Sequence, residues 1–192
     1  GGDCYVFYHR HSNRKQSSRQ ACAERIRFED GKFYQAEMTS CGLNGGPLRG
    51  EGHYPAYAAC NVYGRNGTRF LSMVKHHKGA DPFLTQKGGD REEGPDQYIS
   101  NFCTGCTVGF KYFDLRNTRE ITVNLQGYGN GCAVTVRTEE HGEVLCRIPV
   151  ETCTSRKGFT GKLPEGLGEK EALYFSVEGR GGTFDFVSFD LR

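Results

Sequence analysis

Tryptophan is absent from the 192 residues, and methionine occurs only twice. Any flat aromatic surface must be built from the 10 tyrosines and 13 phenylalanines. An excess of either charge is also lacking: Lys and Arg number 25 against 23 Asp and Glu, a formal net charge of +2. So small an imbalance gives no electrostatic reason to expect nucleic acid or an anionic membrane as partner. No apolar run approaches the roughly 20 residues of a membrane-spanning helix. Helical periodicity is nearly missing, since no stretch repeats apolar residues at i, i+3, i+4 and i+7 for three turns. No signal peptide opens the chain. It begins Gly1-Gly2-Asp3-Cys4 and enters a strand-like run at once, so a truncated start is expected, with any export signal upstream.

Glycine is abundant at 27, and cysteine numbers nine. The odd count, and the position of several cysteines inside alternating apolar patterns, argue against a disulfide framework. A thiol packs as a small hydrophobe. Most of the nine are expected to be buried and reduced, as in a cytoplasmic protein. Cys103-Thr104-Gly105-Cys106 is a lone C-x-x-C. A structural zinc site needs four ligands, and no second pair has usable spacing. A redox motif would open a helix, whereas strand patterns flank this one. A purely structural role is expected there, and likewise for His76-His77 between Lys75 and Lys78.

Short strand patterns dominate. Residues 4–9 are nearly continuous in apolar and aromatic character and suit a strand buried on both faces. A polar loop, His11 to Ser18, leads to a second strand over 19–28, with Cys22, Ile26 and Phe28 on one face and Arg19, Arg25 and Arg27 on the other. Asp30-Gly31 is a hairpin signal, and a third strand is expected over 33–38. Three such strands cannot hold a core alone. A Gly-rich connector over 40–58 is long for a loop within one domain, which places a boundary between 1–58 and 59–192. Beyond it, Ile121/Val123/Leu125, Cys132/Val134/Val136, Val144/Cys146/Ile148/Val150 and Leu173/Phe175/Val177 alternate with polar residues, each a strand with one buried face. Gly129-Asn130-Gly131 and His141-Gly142 are expected to turn the chain. The apolar phase switches at Phe110/Tyr112 to Phe113/Leu115, and at Phe184/Phe186 to Val187/Phe189/Leu191, as a bulge would cause. The expected fold is all-β: three antiparallel strands, then a jelly-roll β-sandwich.

Three patches, Tyr5-Val6-Phe7-Tyr8-His9-Arg10-His11, Ser18-Arg19-Gln20-Ala21-Cys22-Ala23-Glu24 and Glu37-Met38-Thr39-Ser40-Cys41-Gly42, resemble the final blade of a family 43 glycoside hydrolase, a five-bladed β-propeller. The remainder is similar to a family 6 type carbohydrate-binding module, through Gly109-Phe110-Lys111-Tyr112-Phe113, Ala172-Leu173-Tyr174-Phe175 and Phe184-Asp185-Phe186-Val187-Ser188-Phe189. The resemblance implies inverting hydrolysis of arabinose- or xylose-containing glycans by the parent protein, an oligosaccharide or polysaccharide as partner, and further blades N-terminal to this chain. Acid and base carboxylates come from earlier blades in that family. Asp3, Glu24, Glu29, Asp30 and Glu37 match none of its catalytic motifs, so no catalytic residue is assigned. The alternative is a module without catalytic role, which binds carbohydrate or buttresses the propeller.

The same resemblance implies that His9 faces the propeller's central channel and helps to hold calcium, with His11 as second candidate. Calcium prefers oxygen, so contact through water is the easier chemistry. Against this stands a strand-end histidine bonded to backbone. Arg19 falls where the family places an arginine at the sugar site; a guanidinium there can bond a substrate hydroxyl or orient a carboxylate. Asp185 falls where related modules bind a structural calcium. Such modules commonly clamp sugar between aromatic rings, often including Trp, with an Asn nearby. Here Phe186 and Thr183 stand at or near those places, and Tyr98, Tyr112, Tyr128 and Tyr174 read more simply as packing residues.

Overall fold

The alternation of apolar and polar residues becomes strand almost throughout. A computed structural model describes residues 2–65, 81–88 and 96–192; His76-His77 lies outside them. Among the described residues the only helical elements are single 3₁₀ turns at Gly42–Asn44 and Ala56–Ala58.

Strand β1 (Cys4–Ser12) pairs antiparallel with β2 (Lys15–Ile26). The polar loop expected from His11 to Ser18 shrinks to Asn13-Arg14, both at positive φ (54° and 51°), the conformation of a two-residue hairpin turn. Asp30 and Gly31 do the same (51° and 73°) between β3 (Phe28–Glu29) and β4 (Lys32–Phe33). The third strand stops at Phe33. Residues 34–39 are in no regular element, because no partner strand among the described residues lies beside them.

The 40–58 connector contributes two strands to the sandwich, β5 (Leu48–Arg49) and β6 (Gly52–Pro55). Then come β7 (Asn61–Tyr63), β8 (Phe83–Gln86), β9 (Gln97–Cys103), β10 (Thr107–Asp114), β11 (Glu120–Arg137), β12 (Cys146–Val150), β13 (Cys153–Lys162) and β14 (Glu171–Leu191). The chain does not turn at Gly129-Asn130-Gly131, as the glycines suggested. β11 runs on through them, and β14 runs beside it for nearly its whole length. Glycine serves here for close backbone approach. A Cβ on Gly127 would lie 2.4 Å from the Thr183 carbonyl oxygen, and one on Gly179 2.4 Å from that of Gly131. This long ribbon bends and belongs to both layers. In one layer β7 and β5 flank β10, then come the first half of β14, the second half of β11, and β12. In the other, β13 is followed by the first half of β11, the second half of β14, and then β6 and β9 with β8. His141-Gly142 does form a turn, with Gly142 N–H on the Glu139 carbonyl.

Both expected phase switches are bulges. Asn124 faces Ser188 while Leu125 faces Phe186, which leaves Val187 as the extra residue. Between Phe110 and Phe113 the pairing with β14 slips likewise. Each slip turns the next apolar residues back into the core. That core is phenylalanine-rich: Phe102, Phe110, Phe113, Phe175, Phe186 and Phe189 are fully buried between the layers.

All nine cysteines are thiols, and seven are buried. Thiol titration of the unfolded, unreduced protein is expected to count close to nine. A count near one would mean four disulfides and an oxidising compartment.

Candidate functional site

Pairing fixes which side chains share a face of the β1–β2 ladder, since directly opposed residues point the same way. Tyr8 lies opposite Cys22, Arg10 opposite Gln20 and Val6 opposite Glu24. This face is sealed onto the sandwich. The Arg10 guanidinium donates to the carbonyls of Tyr57 and Ala59, and its Nε to Gln20 Oε1 at 2.6 Å. Burial lowers its pKa. Gln20 reaches Gln97 Oε1 at 3.2 Å, and Asn13 N–H donates to the Leu84 carbonyl at 2.8 Å.

Glu24, only 4% exposed, accepts from Tyr8 Oη (3.1 Å), Thr39 N–H (2.7 Å) and Thr39 Oγ1 (2.6 Å). Burial, and then Glu24, push the Tyr8 phenol up. Glu37 accepts from Lys111 Nζ at 3.0 Å and Tyr112 Oη at 2.7 Å. Burial alone would raise the Glu37 pKa, but these two donors hold it below the ordinary range. The Tyr112 phenol is pushed up to about 12 by burial and by Glu37. Glu24 and Glu37 both line a cleft of about 240 Å³ between the ladder and the sandwich. Each is engaged as an acceptor that ties segments together, so the pair is not poised as acid and base. No sequence motif marked Arg10, Glu24 or Glu37 as the seam, because their partners come from distant stretches of the chain.

The opposite face carries Phe7, His9 and His11 on β1 and Arg19, Ala21 and Ala23 on β2. The structure therefore brings Arg19 and His9 together on one face, with His11 directly opposite Arg19 and the two imidazole centroids 6.3 Å apart. All three side chains are exposed, and Phe7 is 71% exposed. The strand expected to be buried on both faces is thus covered on one. Asp3, just before β1, is ion-paired with Arg25 at the far end of the ladder from His11 and Arg19.

Asp185 lies elsewhere, on the outer face of β14 opposite Gln126, and accepts from Ser100 Oγ at 2.7 Å. Among the described residues no group of three His, Cys, Asp or Glu is arranged to hold a metal. Calcium takes six to eight oxygens. Asp185 and His9 lie on separate surfaces, so each would supply only part of such a set, the remainder coming from carbonyl, hydroxyl or water oxygens.

Of the four tyrosines read as packing residues, Tyr174 is buried and Tyr98 and Tyr112 are half-buried, but Tyr128 is 72% exposed. Tyr128 flanks a notch of about 210 Å³ with Asn130, Thr152 and Thr183, floored by Gly181 and Gly182. Of the two, Gly182 is the constrained one: a Cβ there would lie 2.9 Å from both Cys132 Sγ and the Phe184 ring, whereas one on Gly181 would meet open space. The signal that could have found this place was the glycine-rich stretch Gly179-Arg180-Gly181-Gly182 beside Thr183, once its pairing with Tyr128 to Asn130 was known. One ring and one small notch make a poor clamp. Affinity of the chain for free xylo- or arabino-oligosaccharides is expected to be millimolar or weaker, at most ~4 kcal/mol of binding; calorimetry finding a micromolar constant would contradict this.

The fold and these two surfaces define an all-β chain in which a blade-like ladder is docked on a two-layer sandwich. Comparison with known proteins agrees with the resemblance read from the sequence. The chain is 40% identical over 194 residues to a xylosidase/arabinosidase of Thermoclostridium stercorarium, a match that covers 99% of the chain. It spans only 40% of that relative's length. A family 43 arabinoxylan arabinofuranohydrolase of Bacillus subtilis, solved with cellotetraose, superposes on 97% of the chain with a TM-score of 0.60, at 14% identity and over 38% of its own length. A family 6 carbohydrate-binding module of Clostridium cellulolyticum, solved with xylose, superposes on 76% of the chain with a TM-score of 0.56 at 12% identity, over 99% of its own length. At these identities the two solved structures establish the fold. No family model matches the chain.

Proposed function

We propose that this chain is the final-blade and accessory-sandwich part of a family 43 type glycoside hydrolase that cleaves arabinose- or xylose-containing glycans by inversion, its catalytic carboxylates lying in the rest of that longer protein. The observation that carries the reading is the two-sidedness of the β1–β2 ladder. One face is sealed by Arg10, Gln20 and Glu24, and the other presents Phe7, His9, His11 and Arg19 bare. A propeller blade packs on both faces, so the bare one suits the preceding blades. In that setting Arg19 would bond a substrate hydroxyl or orient a carboxylate, and His9 would reach a channel calcium through water. The Arg10 seam favours buttressing as the sandwich's part in the whole.

In the full-length parent, Arg19→Ala is expected to lower kcat/KM on nitrophenyl arabinoside or xyloside by about 10- to 100-fold, the loss of one charged hydrogen bond. An unchanged value would remove Arg19 from the site. Chelation of calcium is expected to lower the Tm of the parent and to leave that of this chain unmoved; equal shifts in both would place the ion in the sandwich instead.

A further inference from the structure

Cys103 ends β9 and Cys106 directly precedes β10, so the C-x-x-C is the turn by which the chain crosses from one layer to the other. Cys106 N–H donates to the Cys103 carbonyl at 2.9 Å, and Gly105 takes a φ of 84°. A β-turn of this kind keeps its first and fourth Cα atoms within about 7 Å, and disulfides span Cα separations of about 4.4–6.8 Å. The two sulfurs already lie 3.1 Å apart. The turn is anchored by Thr104 N–H on the Gly182 carbonyl (3.1 Å) and Gly105 N–H on that of Val177 (2.9 Å). Arg65 covers it: its Nε donates to the Thr104 carbonyl at 2.7 Å, and its stem lies over Gly105.

Geometry separates this pair from the other cysteines, and chemistry separates it from four of them. The two sulfurs share a hydrogen bond in which either can donate; that bond, with the Arg65 charge close by, holds one thiol of the pair, Cys103, down at about 6 while its partner Cys106 is pushed up. At Cys22, Cys60, Cys132 and Cys146 burial pushes the thiol up. Exchange needs a thiolate. Both cysteines are buried, and Gly105 between them is exposed, so the pair lies at the edge of the core beneath a surface turn.

We propose that Cys103 and Cys106 form a modification site: a dithiol that low-molecular-weight disulfides oxidise to an intramolecular disulfide ahead of the other seven cysteines. The Cys103 thiolate attacks one sulfur of the small disulfide RSSR, forming a mixed disulfide and releasing RS⁻. Cys106 then attacks the Cys103 sulfur, its proton passing to the released thiolate, and a second RS⁻ leaves to be protonated by water. Two protein thiols are oxidised, and RSSR is reduced to two RSH.

The test incubates the folded chain with hydroxyethyl disulfide, unfolds it, alkylates the remaining thiols and maps the peptides. The expected count falls from nine to seven, with the peptide holding Cys103 and Cys106 lighter by two hydrogens and the other cysteines alkylated. A count that stays at nine, earlier loss at any other cysteine, or a mixed disulfide on Cys103 that persists would overturn the proposal. Cys106→Ser should stop the reaction at the mixed disulfide on Cys103, and Arg65→Gln should slow the first step several-fold. The wild-type map decides the matter if either variant fails to fold.

Discussion

This chain alone is expected to release no nitrophenol from nitrophenyl arabinoside or xyloside, whereas the longer parent should turn both over. Inverting hydrolysis needs two carboxyl groups about 6.5–9.5 Å apart with a water between them, one of them with a raised pKa so that it can serve as acid. Glu24 is buried beneath three donors, and Glu37 is held below the ordinary range by Tyr112 and Lys111, the wrong direction for an acid. The face bearing His9 and Arg19 opens to solvent, and a two-stranded ladder encloses no pocket that excludes water. Turnover clearly above a buffer blank, surviving repurification, would overturn the placement of the carboxylates outside this chain.

The largest stability effect is expected at Phe186. Its side chain is fully buried, stacked on Phe102 with centroids 5.1 Å apart and edge-on to Phe175 at 5.3 Å. Phe186→Ala removes a ring from the middle of that cluster and leaves a cavity that neighbouring rings, themselves held by both layers, fill poorly. The expected loss is about 3–5 kcal/mol, read from the midpoint of urea unfolding. Phe7→Ala, at the bare face, is the control: its ring is already mostly in water, so a change within about 0.5 kcal/mol is expected. A loss at Phe186 no larger than at Phe7 would mean that the phenylalanine cluster is not the core of the sandwich.

Local chemistry in the sequence determined a good deal. Period-two alternation gave the strands, Asp30-Gly31 gave its hairpin, and the phase switches at Phe110–Phe113 and Phe186–Val187 gave the two bulges, because each is a property of neighbours along one strand. Residue patches gave the likeness to a blade and a module. The tertiary structure alone decided matters that rest on distant partners. Gly129 and Gly131 carry the same turn signal as any glycines, and only the pairing of β11 with β14 made them part of a continuous bent ribbon. Arg10 was one arginine among several until its guanidinium met the carbonyls of Tyr57 and Ala59. His9 and Arg19 share a face only because β2 returns along β1 in that register. A sequence states which groups are present; which of them lose water, and to whom they then bond, is settled when the chain closes on itself.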